Sequence, residues 1–194
     1  MHDSTPDRCR DGPQEFLKSF RGHIKCDAYP GYNRLFKEGA VVEIGCSAHA
    51  RRKFIEAEKT CVGPAHEYVA RTRSIYAIEH EGKLLDASAR AELRQSKAVH
   101  CLQELKSWLE KQRAEVLPKS PIAVAINYSL NQWEALNIYT YDGNLAIDNN
   151  IAERAVQTLP FGSDQGGKAW PVCQASPLPA NSLESMPGLI CDIR

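Results

Sequence analysis

Several things are missing from this sequence, and each absence excludes a class of protein. There is no net charge, since 24 Lys and Arg stand against 24 Asp and Glu. A protein that works mainly by wrapping nucleic acid is strongly basic, so that role is disfavoured for the chain as a whole, while a local basic face stays open. No C-x-x-C pair occurs among the seven cysteines scattered from Cys9 to Cys191. An odd, unclustered set fits a reduced cytoplasmic chain better than a secreted disulfide framework. No apolar run approaches the roughly 18 residues that span a bilayer, and Met1-His2-Asp3 opens a polar stretch unlike a signal peptide. The expectation is a cytoplasmic protein with no membrane partner. No internal repeat is visible either.

What is present reads as ordinary globular material, 43% hydrophobic and 25% charged. At 194 residues it suffices for one domain, or for one domain carrying a large insertion. Residues 1–60 mix short strand-like and helix-like pieces. Phe16, Leu17 and Phe20 share a helical face after Gly12-Pro13. His23-Ile24-Lys25-Cys26 alternates like a short strand and runs into the turn signal Asp27-Ala28-Tyr29-Pro30-Gly31. A helix is expected over 32–37, then a buried β-branched strand at Ala40-Val41-Val42-Glu43-Ile44. Strand, helix, strand in that order predicts an α/β unit.

Residues 61–140 read as helical. Tyr68, Val69, Ile75, Tyr76 and Ile78 build an apolar face over 65–79, as do Leu93, Val99, Leu102, Leu105, Trp108 and Leu109 over 89–116. Ser120 is a fitting N-cap with Pro121 at the first helical position, opening a helix that carries Ile122 through Leu136. Tyr141-Asp142-Gly143-Asn144 is a turn, and residues 141–168 hold a last helix near Asp148. From 169 to 194, Pro171, Pro177, Pro179 and Pro187 punctuate a stretch without periodicity, read as an irregular, disordered C-terminal tail.

Two carboxylates stand out. Asp27 follows a predicted strand, where open α/β sheets place ligand-binding groups, yet Asp before Pro30-Gly31 is also an ordinary turn residue. Glu153 lies three residues after Asn150, which makes it a capping-box acid in its own right. Projected toward Asp27 instead, it would complete a pair of oxygen ligands suited to Mg²⁺ and phosphodiester chemistry. Spacing leaves both readings open. Cys46 and His49, with Cys61 and His66, have zinc-binding side chains, but a second pair at finger spacing is lacking, so zinc is not expected. Arg51-Arg52-Lys53 can meet phosphates, or form a solvated face balanced by Glu56 and Glu58.

Six stretches in register decide the matter. They are Gly12-Pro13-Gln14-Glu15-Phe16-Leu17, Asp27-Ala28-Tyr29-Pro30-Gly31-Tyr32-Asn33, Cys46-Ser47-Ala48-His49-Ala50-Arg51-Arg52-Lys53-Phe54, Pro118-Lys119-Ser120-Pro121, Tyr128-Ser129-Leu130-Asn131-Gln132-Trp133 and Ile147-Asp148-Asn149-Asn150-Ile151-Ala152-Glu153-Arg154-Ala155. Together, over roughly residues 3–158, the chain resembles transposases of the insertion-sequence-66 family. That resemblance implies a ribonuclease-H-like core, partial here and interrupted by a largely helical insertion, with an Asp-Asp-Glu triad. Asp27 would be its second acid and Glu153 its third. It further implies Mg²⁺ or Mn²⁺ as cofactor and transposon-end DNA as substrate, for which Arg51, Arg52, Lys53 and Arg154 are the candidate phosphate contacts. A homo-oligomer or a full-length transposase are the protein partners to expect.

The family's first Asp lies on an upstream strand that none of Asp3, Asp7 or Asp11 matches. The glycine-rich Phe161-Gly162-Ser163-Asp164-Gln165-Gly166-Gly167 also follows sooner than in the family, and the likeness stops near Trp170. The expectation is a catalytic fragment short of one carboxylate and inactive alone. The alternative is a residual DNA-binding or oligomerising module. Loss of the first core strand is also expected to leave a neighbouring strand edge unpaired.

Overall fold

The computed structural model describes residues 41–150 continuously, with 17, 19–26, 33–37 and the backbone of 174–177. Strand β1 (Gly22–Cys26) is followed by helix α1 (Asn33–Lys37) and strand β2 (Val41–Gly45). The two strands pair in parallel, from Gly22 opposite Val41 to Cys26 opposite Gly45. This is the strand–helix–strand unit that the sequence predicts. Ile24, Cys26 and Val41 form a small apolar cluster with Leu17, Phe20 and Phe36 packed against it.

Two features of the sheet differ from expectation. The first is that β1 does not alternate: all five residues are buried, His23 and Lys25 at 2% exposure each. A strand covered on both faces has lost the period-2 signal that a half-exposed strand would show. The second is that the stretch expected to be irregular contributes a strand. β3 (Gln174–Pro177) runs antiparallel to β1, from Lys25 opposite Gln174 to Gly22 opposite Pro177. The sheet order is therefore β2-β1-β3.

The rest of the described chain is helical. Helices α2 (Ser47–Ala57) and α3 (Val62–Glu81) lead through a 3₁₀ turn to α4 (Ala87–Leu93), a π turn (Arg94–Ala98) and α5 (Val99–Glu115). Helix α6 (Pro121–Asn131) and the short α7 (Trp133–Asn137) complete the body. Starts are set locally: Asp86 Oδ1 accepts from the Ala89 amide at 2.9 Å, and Ser120 Oγ from the Ala123 amide at 3.3 Å. Helix α3 buries Ala65, Tyr68, Thr72, Ile75 and Ile78, a stripe at helical spacing. Tyr68 stacks on Phe54 of α2 with ring centroids 3.6 Å apart, at the centre of one apolar core.

Two helices expected to be continuous are interrupted. The helix over 89–116 carries the π turn, and the one starting at Pro121 breaks at Gln132. Arg94, at the start of the π turn, is 2% exposed. It donates to both Glu79 carboxylate oxygens at 2.9 and 2.7 Å, and to the Tyr139 and Asp142 carbonyls at 2.8 Å each. That network ties α3 to residues 139–142. Gly45 permits the next close approach: a Cβ there would lie 2.9 Å from Leu136 Cδ2 and 3.0 Å from the Leu136 amide nitrogen, so α7 sits directly on the end of β2. The architecture is a mostly helical body docked on a small sheet. No helix among the described residues is long and apolar enough to cross a membrane.

Candidate functional site

The turn at 141–144 folds as its residues dictate, with Asp142 Oδ1 accepting from the Asn144 amide at 2.8 Å and the Leu145 amide donating to the Asp142 carbonyl at 3.1 Å. Beyond it, residues 146–150 form a strap across the C-terminal ends of β1 and β2. The Ser47 amide donates to the Ile147 carbonyl at 3.2 Å, and the Asn149 amide to Cys46 Sγ at 3.3 Å. From β1, the Lys25 ammonium donates to the Ala146 carbonyl and, at 3.3 Å, to that of Asp148. Partners a hundred or more residues apart thus hold the strap on the sheet.

The Asp148 carboxylate is the polar centre of this end. It accepts from the Tyr76 hydroxyl of α3 at 3.2 Å, and from the Asn150 amide and side chain at 3.1 and 2.8 Å. Burial pushes the Lys25 ammonium down to about 8, against the charges of Cys46 and Asp148, which favour its protonated form. Burial alone would raise the Cys46 thiol, but hydrogen bonds involving His49 and the Asn149 amide outweigh it and hold the thiol below its ordinary range. Burial, reinforced by Asp148, keeps Tyr76 a phenol well above the usual tyrosine range. On β2, burial raises the half-buried Glu43 carboxyl, although the Cys26 thiol donates to it at 3.4 Å.

Asp27, Glu153 and Arg154 lie outside the described residues. Their sequence neighbours do not: Cys26 precedes Asp27, Asn150 stands three residues before Glu153, and both belong to this end of the sheet. Arg51 and Arg52 are exposed on α2, while Lys53 is half-buried with its ammonium 4.7 Å from the centroid of the Tyr128 ring. Of the zinc-type residues, Cys46 and His49 stay together, with the His49 amide donating to the Cys46 carbonyl at 3.1 Å. Cys46 engages the strap, and His66 pairs with Glu58 at 2.7 Å on the surface. Among the described residues no group of three His, Cys, Asp or Glu side chains is placed to hold a metal ion.

Sequence reading passed over Lys25, Tyr76 and Asp148, which meet at this end of the sheet. A lysine between Ile24 and Cys26 is an available signal, because a charge inside a buried strand needs a partner. Asp148 two residues before Asn150 is another, as an Asx-type acceptor for its amide. Tyr76 offers none, since it sits among the apolar positions of its helix.

Comparison with known proteins agrees with the six stretches. A sequence model described as Transposase IS66 family matches residues 1–169. Three proteins of Sinorhizobium fredii, each named only as uncharacterised, are similar over much of this chain. The protein y4qI is 35% identical over 170 residues, 79% of this chain and 32% of its own length. For y4jD the identity is 31% over 171 residues, 80% of this chain and 34% of that protein. For y4hP it is 30% over 176 residues, 82% and 32% of the respective chains. The chain spans about a third of the length of these relatives. No solved structure matches it. The chain belongs to the IS66 transposase family.

Proposed function

We propose that these residues form part of the catalytic region of an Asp-Asp-Glu transposase, with Asp27 and Glu153 as two of the three metal-binding carboxylates. The observation that supports this is the strap: Lys25, Ser47 and Cys46 hold residues 146–149 against the ends of β1 and β2. The chain entering Glu153 and the strand leading to Asp27 therefore meet at one end of the sheet. In this reading the sheet is a piece of a ribonuclease-H-like core, and residues 61–140 are the helical insertion before its last acid.

The donor chemistry fits Mg²⁺ or Mn²⁺, hard ions that prefer carboxylate oxygen. Asp148 is read as a positioning group, since its carboxylate accepts from Tyr76 and Asn150. Such ions, when bound, activate an attacking water or DNA 3′-hydroxyl and stabilise the leaving oxygen at a transposon end. The protein's own contribution is placement: Lys25 and Asp148 fix the strap, and the exposed Arg51 and Arg52, with Lys53 and Arg154, contact the phosphate backbone of transposon-end DNA.

With two of the three acids present, these 194 residues alone are expected neither to nick nor to join transposon-end DNA in Mg²⁺ or Mn²⁺. Cleavage that disappears in Asp27→Ala or Glu153→Ala would show instead that they carry a whole site. The DNA contacts have their own test. Arg51→Gln and Arg52→Gln should each weaken binding in gel shifts uniformly across sequences and flatten its salt dependence by about one unit of slope. Unchanged slopes would remove α2 from the interface.

A further inference from the structure

The helical body reaches the strap through a tyrosine hydroxyl. Tyr76 lies on α3 with its ring packed against the apolar core of the body. The hydroxyl leaves that apolar setting and donates to Asp148 Oδ2 at 3.2 Å. The same oxygen accepts from the Asn150 side chain at 2.8 Å, while Oδ1 accepts from the Asn150 amide at 3.1 Å. An Asx turn needs only the last of these bonds. The Tyr76 bond adds a fixed point on the body, so the plane of the carboxylate, and with it the Asn150 amide, is set from α3. Burial and the Asp148 charge keep Tyr76 a phenol, so the donated proton stays in place. The Lys25 ammonium holds the backbone of the same residue, at 3.3 Å from the Asp148 carbonyl. Glu153 follows Asn150 by three residues, a length of chain that reaches at most about 11 Å.

We propose that Tyr76 is a positioning residue for the metal site: acting through Asp148, it makes the helical body fix the point from which the chain runs to Glu153. The proposal rests on the reading of Asp27 and Glu153 as metal ligands. Loss of the Tyr76 hydroxyl leaves both ligands in the chain but frees the Asp148 carboxylate to turn. The chain entering Glu153 is then held less firmly, and a site with loosely held ligands binds its ion less tightly.

Tyr76→Phe in the full chain tests this, because it keeps the ring and removes one hydroxyl. Mn²⁺ affinity, read by electron paramagnetic resonance, should fall by about three- to tenfold, since Tyr76 stands one bond further out than partners whose loss costs about tenfold or more. The Asn150 amide should exchange faster while the amides of α5 keep their protection. Tyr139→Phe, which removes a buried hydroxyl with no hydrogen-bond partner, should leave Mn²⁺ binding unchanged. In Asp148→Ala, adding Tyr76→Phe should cost little more, because the two act through one contact. Equal weakening by Tyr139→Phe, a full further loss in the double variant, or binding that needs Glu153 but ignores Tyr76 would each overturn the role of Tyr76 and leave the two ligands standing. An unmodified chain without saturable Mn²⁺ binding, or a Glu153→Gln variant that binds as tightly, would overturn the metal site and this proposal with it.

Discussion

The helical body and the sheet end are stabilised by different physics. In the body, apolar stripes from α2, α3, α5 and α6 close on one core, and Arg94 binds α3 to residues 139–142 from inside. Its buried ion pair, Arg94 with Glu79, closes within the same packed unit. At the sheet end a small apolar cluster is supplemented by long-range polar links: Lys25 to the strap, Cys46 to Asn149, and Tyr76 to Asp148. The lesson is that the body can persist while the sheet end opens. Native-state hydrogen exchange should therefore resolve two cooperative units, with β1 and the strap opening at lower free energy than α3 and α5.

That contrast can be broken from either side. The largest effect is expected from Arg94→Ala, which strands the Glu79 carboxylate (15% exposed) without its partner and should cost about 3–5 kcal/mol in thermal or urea melts. A loss under about 1 kcal/mol would mean that the body does not depend on its buried ion pair. Next comes Gly143→Ala. A Cβ there would lie 1.9 Å from the Ala87 carbonyl oxygen, so backbone must shift at a cost of about 1–3 kcal/mol. Ser120→Ala removes the cap of α6 and should cost about 1 kcal/mol, with exchange rising first at the Ala123 amide.

A pH test sharpens the comparison most, because it belongs to the sheet end. Lys25 has a folded pKa of about 8 against an ordinary 10.5. Between those values the unfolded chain binds a proton that the folded chain has released, so this group makes stability rise with pH across that window. Burial holds the Tyr68 phenol up to about 12, so above pH 10 the folded chain keeps a proton the unfolded chain loses, and stability falls. Lys25→Met should lessen the rise, to which the lowered Cys46 thiol also contributes below pH 9, and leave the fall. A profile identical to that of the unmodified chain would mean that Lys25 is not buried against the strap.

Legibility follows the same division. The body was readable because local rules govern it: the stripe from Tyr68 to Ile78, the Ser120-Pro121 start, and the Asp142-Gly143 turn all act within a few residues. Its two misread continuities, at Arg94 and Gln132, arise where tertiary packing overrides helical period. At the sheet end β2 announced itself by its β-branched run. β1 looked half-exposed, because His23 and Lys25 are polar yet buried, for reasons that include a lysine bonded to carbonyls at 146 and 148. β3 had no pattern to find in Gln-Ala-Ser-Pro. The candidate acids Asp27 and Glu153 came from motif order, not local physics, since a turn and a capping box explain each one separately.

The claim that these two acids share one site is tested most directly by Mn²⁺ titration of the full chain, read by electron paramagnetic resonance. Saturable binding is expected. Asp27→Asn and Glu153→Gln should each weaken it by more than about tenfold, a loss that even outer partners of a metal site typically cause. The double variant should be little worse than either single one, because both remove the same ion. Absence of saturable binding, or a single variant that binds as tightly as the unmodified chain, would contradict a shared Asp27–Glu153 site.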